Sequence, residues 1–376
     1  MKKIEIPFNR PCSKGNAKKY LQDVLTSGHI SGNGNFTNKC HSFFNQLYSA
    51  KTLLTTSGTS ALEMAALLAQ IKPGDEVIMP AFTFVSTANA FLLRGAKIIF
   101  ADTCDEYPNI DTTKIEELLT DRTKAIVPVH YAGVACEMDN LTRLSENNNR
   151  TIIEDAAHAF SASYKGKPLG SFGKFGILSF HETKNITSGE GGLLIMNNEK
   201  DYQRAEILWE KGTNRNSFHR GEIKKYEWID IGSSFLPSEI NAALLYSQIK
   251  IVDEIQKKRV EIWHKYFNEL KVLQEKGKVL LPQIPEYANV NGHLFFMECE
   301  SKKVRDNLIL YLNSKGIQAV FHYLPLHLSP YFLQKHDGRE LKNTVKFSEQ
   351  IIRLPLFVDL KEEEQDYIIK TIKEFF

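Results

Sequence analysis

The chain has 376 residues with 47 basic and 45 acidic side chains, a formal net charge of +2, and it is 42% hydrophobic and 24% charged. That balance excludes an intrinsically disordered chain, which carries fewer aliphatics and more net charge, and it speaks against nucleic-acid binding, which asks for a basic excess or stripe. At roughly 100–200 residues per domain, the length provides two domains with ample core.

The first residues, Met1-Lys2-Lys3-Ile4-Glu5-Ile6-Pro7, are basic but interrupted by Glu5 and Pro7, so no signal-peptide core is expected there. No uncharged apolar run approaches the ~18–20 residues that span a bilayer. Cys12, Cys40, Cys104, Cys136 and Cys299 are scattered, with no C-x-x-C pair. Neither a disulfide framework nor a metal site is expected, and the setting implied is a reducing, cytoplasmic one. Gly32-Asn33-Gly34-Asn35 lacks the third glycine of a dinucleotide fingerprint and reads as a flexible loop.

A strand ends near Thr55 and a helix opens around Ser60. Short apolar runs follow at 76–80, 98–102, 125–130, 151–155, 175–180 and 193–196, interleaved with helical stretches at 60–70, 86–94, 113–119 and 139–147. The alternation predicts an α/β fold, a mostly parallel sheet flanked by helices on both faces. Runs apolar throughout fit strands buried on both sides. After about residue 240 the pattern changes. One long helix is expected from 240 to about 270, then strands at 278–281 and 292–298, a helix at 303–315, and further segments at 317–323, 347–351 and 362–375. The division is a large α/β domain, 1–245, and a smaller C-terminal α+β domain, 246–376.

Three segments carry candidate chemistry. In Thr55-Thr56-Ser57-Gly58-Thr59-Ser60, a glycine among hydroxyl residues opens a helix, where free N–H groups and the helix dipole suit a phosphate. Simple N-capping by Ser57 or Thr59 is the commoner explanation of such residues. In Ile152-Ile153-Glu154-Asp155-Ala156-Ala157-His158, an apolar strand runs into Asp155, and the C-terminal ends of parallel strands form the ligand crevice. A helix-capping aspartate fits equally well, and a lone His158 is more often packing. In Ser179-Phe180-His181-Glu182-Thr183-Lys184, a lysine follows a strand and precedes Gly189-Glu190-Gly191-Gly192. It is placed to become a nucleophilic amine if desolvation lowers its pKa, although any single lysine is usually a surface one. Jointly these are the parts pyridoxal 5′-phosphate needs: a phosphate cradle, a carboxylate for the ring nitrogen and an amine for the aldehyde.

On these segments, with Gly28-His29-Ile30-Ser31-Gly32, Pro80-Ala81-Phe82-Thr83-Phe84, Ile240-Asn241-Ala242-Ala243 and His322-Tyr323-Leu324-Pro325-Leu326-His327, the chain resembles the DegT/StrS-type nucleotide-sugar aminotransferases of fold type I over nearly its whole length. The resemblance implies that Lys184 forms the covalent link to the cofactor and shuttles the proton. It implies that Asp155 pairs with the ring nitrogen, that Gly58, Thr59 and Ser179 hold the phosphate, and that Phe84 stacks on the ring. His158, where many relatives carry Gln, would meet the phenolic oxygen. Ser234, where relatives commonly carry Asn, would reach the cofactor phosphate of a neighbouring subunit, making a homodimer with shared sites. Arg215 would meet a diphosphate and His327 the sugar.

The segments Phe180-His181-Glu182-Thr183-Lys184-Asn185, Glu210-Lys211-Gly212-Thr213-Asn214-Arg215 and Asp230-Ile231-Gly232-Ser233-Ser234 are similar to those of members that aminate C4 of a dTDP-linked 4-keto-6-deoxyglucose with L-glutamate. Rival readings are C3 or UDP-linked acceptors within the family, and a non-catalytic regulator on the same fold. A family dehydratase is disfavoured because those carry His where this chain has Lys184.

Overall fold

The computed structural model describes residues 6–12 and 14–376. Seven strands form one sheet: β1 (Lys51–Thr55), β2 (Glu76–Pro80), β3 (Lys97–Ala101), β4 (Thr123–Ile126), β5 (Thr151–Asp155), β8 (Phe175–Ser179) and β9 (Gly192–Met196), in the order β1-β9-β8-β5-β4-β2-β3. A two-stranded ribbon, β6 (Ser163–Tyr164) with β7 (Lys167–Pro168), lies outside it. Only β9 runs against the others, pairing antiparallel with both β1 and β8.

Successive side chains on a strand face opposite ways, and here they enter two different cores. Leu54, Ile78, Ile99, Ile152 and Leu178 belong to one, and Leu53, Val77, Ile98, Ile153 and Ile177 to the other. The first core is closed by α2 (Asn35–Tyr48), α5 (Met138–Asn148) and α8 (Glu239–Ile249), with α1 (Ala17–Ser27) packed outside. The second is closed by α3 (Gly58–Leu68), α4 (Val85–Leu92) and α6 (Tyr202–Trp209), followed by the short α7 (Arg215–His219). The expected three-layer α/β architecture is therefore present. Within it, α3 is rich in Ala and Leu, strong helix formers, and is buried almost all round.

The expected single helix from 240 to about 270 is two helices, α8 and α9 (Val252–Glu275). The backbone leaves helical geometry at the β-branched Ile251 (φ −127°, ψ 24°). Beyond it, β10 (Val279–Leu280), β11 (Phe295–Cys299) and β12 (Ile351–Leu354) make a small antiparallel sheet. It is covered by α9, α10 (Lys302–Ser314) and α12 (Glu362–Phe375), with α11 (Lys342–Gln350) alongside. The helical stretch expected at 113–119 is two 3₁₀ turns, Thr112–Lys114 and Glu116–Leu118.

The segment read as a flexible loop at 32–35 is held in place. Glu239, at the first turn of α8, accepts from the N–H groups of Gly34, Phe36 and Thr37, and so caps α2 with a carboxylate. Most of the opening segment read for a targeting signal, Met1 to Glu5, lies outside the described residues. Among the described residues no helix is long and apolar enough to cross a membrane, and no group of His, Cys, Asp and Glu is arranged to hold a metal ion.

Candidate active site

The parallel strands end on one side of the sheet, where a cavity of about 650 Å³ opens toward the small antiparallel sheet. Ser57, Gly58 and Thr59 line it at the start of α3. Ser57 is extended (φ −162°) and its Oγ accepts from Ser60 N–H at 3.0 Å, so the capping reading is correct for Ser57. Gly58 and Thr59, in the first turn of α3, line the cavity, where the N–H groups of a first turn have no acceptor within the helix and a phosphate would be accommodated. Side chains at Gly58 and Gly192 would crowd this turn. A Cβ on Gly58 would lie 3.0 Å from Ser179 Cβ, and one on Gly192 would lie 2.3 Å from the Ser57 carbonyl oxygen. Thr59 Oγ1 donates to Ser86 Oγ at 2.8 Å.

Asp155 ends β5, only 5% exposed, and lines the cavity. Its Oδ2 accepts from Thr87 Oγ1 at 2.7 Å and its Oδ1 from Ala157 N–H at 3.2 Å, which fixes the carboxylate plane. The strand alternation separates it from its neighbour. Glu154 points to the other face, where it accepts from the N–H groups of Gly170, Phe172 and Gly173 and faces His130 at 3.1 Å. Of the acidic pair, one member is structural and one faces the site.

Lys184 lines the same cavity, shortly after β8. Burial lowers its pKa to about 8, Asp155 opposing the shift and Arg353 adding to it. At pH 7 about a tenth of this amine is thus unprotonated and nucleophilic, whereas an ordinary lysine is almost wholly charged. Asn241, on α8, donates to the carbonyls of Ser188 and Glu190 and so secures the glycine-rich turn that follows Lys184.

His158 is 8% exposed, and burial pushes its pKa well down, with Lys184 and Arg353 contributing. Its Nδ1 accepts from Ala132 N–H at 3.3 Å, so the neutral ring carries its proton on Nε2, 3.4 Å from Tyr323 Oη. Phe84, immediately before α4, lines the cavity with 57% of its surface exposed. An exposed aromatic ring in the cavity that Asp155 and Lys184 also line is what a stacked pyridine ring would cover. Aldehyde, ring nitrogen, phenolic oxygen and phosphate of pyridoxal phosphate each find a group of matching chemistry here, so the residues fit the cofactor.

Other expected residues stand elsewhere. Arg215 opens α7, its Nε 3.2 Å from His219 Nε2, and Ser234 is exposed beside Glu210; neither lines this chain's cavity. His327 was expected against the sugar, but it is buried at 3% exposure, its ring 5.0 Å from that of His336, and it is outside the cavity wall. It lies within the 3₁₀ turn Leu326–Leu328, which buries its ring against His336.

The second wall comes from the smaller unit and was not anticipated. His293 lies 4.3 Å from His158, ring to ring. Arg259, on α9, holds the carbonyls of Gly292 and His293 at 3.0 and 2.7 Å. Gly292 has φ +60°, and a Cβ there would meet the Arg259 backbone at 2.6 Å, so only glycine permits this approach. His322, Tyr323 and Arg353 complete the wall. The motif His322-Tyr323 was visible in the sequence, but nothing in the pattern marked His293 or Arg353.

Fold and site together define a pyridoxal-phosphate-dependent aminotransferase. The chain belongs to the DegT/DnrJ/EryC1/StrS aminotransferase family, which it matches over residues 11–373. It is 30% identical to the spore coat polysaccharide biosynthesis protein SpsC of Bacillus subtilis, over 98% of this chain and 96% of that one. Its structure resembles the putative sugar aminotransferase Spr1654 of Streptococcus pneumoniae in the PMP form, with TM-score 0.91, 27% identity and 99% of each chain covered. It also resembles Helicobacter pylori PseC, an aminotransferase involved in the biosynthesis of pseudoaminic acid, with TM-score 0.89, 26% identity and 99% of each chain covered. The protein is a sugar aminotransferase, and its cofactor is pyridoxal phosphate.

Proposed function

We propose that the enzyme transfers the amino group of L-glutamate to C4 of dTDP-4-keto-6-deoxy-D-glucose, giving dTDP-4-amino-4,6-dideoxy-D-galactose for a surface polysaccharide such as enterobacterial common antigen. The observation that carries this reading is the presence in the sequence of the segments at 180–185, which includes Lys184, 210–215 and 230–234, which resemble those of members making this product. Cytoplasmic location follows as part of the same reading, since nucleotide sugars are made and used there.

When bound, the cofactor supplies an electrophilic carbon and an electron sink. Asp155, fixed by Thr87, keeps the ring nitrogen protonated. His158 offers its Nε2 proton to the phenolic oxygen, and Gly58, Thr59 and Ser179 hold the phosphate. Lys184 Nζ moves the proton to and from the carbon that bears the amino group. A single cavity serves donor and acceptor in turn, as a ping-pong sequence requires.

The partner is a second copy of the chain. Trp228 is 81% exposed, and Ile229 and Ile231 are half-exposed, in the stretch leading to Ser234. An apolar run of this kind fits a subunit interface, and it would carry Ser234 to the neighbour's cofactor phosphate and Arg215 toward a diphosphate there. The test is incubation of the holoenzyme with L-glutamate and, separately, dTDP-4-keto-6-deoxyglucose, a 3-keto isomer and a UDP-linked keto sugar, with products read by NMR. Amination at C4 of the dTDP sugar is expected. Faster amination of either alternative would replace this substrate assignment.

A further inference from the structure

Two imidazoles line the cavity side by side, and their surroundings set the proton of each. His293 is buried, and its ring centre lies 4.3 Å from that of His158. Asn185, the neighbour of Lys184 in the chain, fixes the proton of His293. Its Nδ2 donates to the Asn291 carbonyl and to Gln256 Oε1, each at 2.9 Å, and a backbone carbonyl can only accept, so the amide has one orientation. Its Oδ1 therefore accepts from His293 Nδ1, at 2.8 Å. Burial pushes the His293 pKa well below the ordinary histidine value, so the ring is neutral and its Nε2 carries a lone pair. His158 has the opposite tautomer, with Nδ1 accepting from Ala132 and the proton on Nε2. Asn291 ties the two backbones together: its Oδ1 accepts from His293 N–H at 3.0 Å, and its Nδ2 donates to the His158 carbonyl at 2.8 Å. The pair thus offers the cavity one donor and one acceptor. With Nδ1 engaged, Nε2 is the only polar atom of the His293 ring left for a ligand, and it has no partner among the described residues.

We propose that His293 is a specificity-determining residue, its Nε2 accepting a hydrogen bond from the sugar hydroxyl on the carbon next to the keto carbon. A lone pair finds no proton on a carboxylate, a phosphate or a carbonyl oxygen. That removes the diphosphate, the keto oxygen and both carboxylates of L-glutamate as partners. The polar groups of the cofactor have other matches, in Asp155, His158 and the start of α3. The amino group of L-glutamate is a donor, but it is the group handed to the cofactor. Hydroxyl groups of the acceptor sugar remain. Lys184 acts on the charge of His293 as it does on that of His158, so the ring stands near the carbon that is aminated, and a hydroxyl on the adjoining carbon is the one within its reach. The inference rests on the sugar-aminotransferase reading. In the proposed acceptor the hydroxyl is that of C3, since C5 carries none.

The test uses holoenzyme of the wild type, His293→Phe and His293→Gln, with the two half-reactions followed separately by cofactor absorbance. The sugars compared are dTDP-4-keto-6-deoxyglucose and its 3-deoxy analogue. The wild type is expected to favour the parent sugar roughly 30-fold in kcat/KM, because the analogue leaves a buried acceptor unpaired. His293→Phe keeps the bulk of a ring without its nitrogens. It should lose about the same factor on the parent sugar and treat the two sugars alike, while the glutamate half-reaction changes by less than about threefold. His293→Gln, whose amide can donate to Asn185 and still accept, should keep about a third of the preference. Equal rates of the wild type on the two sugars, an undiminished preference in His293→Phe, or an equal fall in both half-reactions would overturn the assignment. The last would mean that the ring only holds Asn185 and, through it, Lys184. Should His293→Phe fail to fold, the wild-type comparison and His293→Gln decide. If the acceptor proves to be another keto sugar, the analogue lacking the hydroxyl beside its own keto carbon takes the place of the 3-deoxy sugar. A wild type that aminates no keto sugar would instead overturn the sugar-aminotransferase reading, and calorimetric binding of the parent and 3-deoxy nucleotides would still decide the role of His293.

Discussion

The two walls of the cavity reach it by different routes. On the large-sheet wall every functional group sits at a position that topology dictates. Asp155 ends a parallel strand, Ser179 ends its neighbour, Gly58 and Thr59 start the helix after β1, and Lys184 follows β8 by a few residues. On the small-sheet wall His293, His322, Tyr323 and Arg353 come from three separate segments, aligned only by tertiary contacts such as Arg259 to the Gly292 and His293 carbonyls. The first wall carries the groups proposed to hold the cofactor, and its geometry is local. The second faces whatever lies beyond the cofactor, and its geometry is assembled from a distance.

If that division is right, the severest loss comes from the large-sheet wall. Lys184→Ala should lower turnover by at least about 10⁴-fold, since it removes both the covalent anchor and the acid–base group. Borohydride treatment of wild-type holoenzyme should leave a reduced pyridoxyl adduct on Lys184, found by peptide mass analysis, and none in the variant. Substantial residual turnover would mean that the amine or imidazole doing the work belongs to the opposite wall.

Asp155→Asn is expected to be the next largest. It removes the buried charge proposed to face the ring nitrogen while keeping a partner for Thr87, and kcat should fall about 100–1000-fold. The adjacent Glu154→Gln sharpens the contrast. Glu154 accepts three backbone N–H groups on the far face, so its loss should reduce stability by about 1–3 kcal/mol in a denaturation experiment and leave kcat close to wild type.

A smaller effect concerns pH. In the apoprotein the Lys184 pKa is lowered to about 8, chiefly by burial. The neutral amine fraction, and with it the rate of cofactor capture, should rise about tenfold between pH 7 and pH 9 and level off, rather than climbing toward pH 10.5. The folded state binds its proton less readily than the unfolded chain. Its stability should therefore rise with pH between about 8 and the ordinary lysine value, and be lower by the full amount below 8. Stopped-flow mixing with pyridoxal phosphate measures the first effect and denaturant titration the second.

Much of this was legible beforehand, for a physical reason. The runs at 76–80 and 151–155 matched β2 and β5 residue for residue because each carries consecutive apolar residues, Val77-Ile78-Met79 and Ile152-Ile153, as a strand buried on both faces does. The break at Ile251 escaped notice because α8 and α9 are both apolar at helical intervals, and the pattern does not register a single residue leaving the helix. His327 looked like a site residue by its place in a motif, yet a turn decides which way its ring faces. Arg353 was one basic residue among 47, and only its place in the cavity wall sets it apart.

The smallest expected effect separates capping from phosphate binding at the start of α3. Ser57 Oγ accepts from Ser60 N–H and also lies 3.0 Å from Ser60 Oγ, which in turn lies 2.8 Å from Thr56 Oγ1, so the hydroxyl organises the turn from within. The donors proposed for the phosphate are the backbone N–H groups of Gly58 and Thr59, which substitution of Ser57 leaves in place. Ser57→Ala should therefore cost about 1 kcal/mol, the usual value of an N-cap. If the whole cost fell on cofactor binding, the dissociation constant of pyridoxal phosphate would rise about fivefold, with kcat unchanged. Equilibrium dialysis against the cofactor reads this directly. A rise beyond about 100-fold would show that the Ser57 hydroxyl itself binds the phosphate, and that the cradle is built from side chains as well as from the start of the helix.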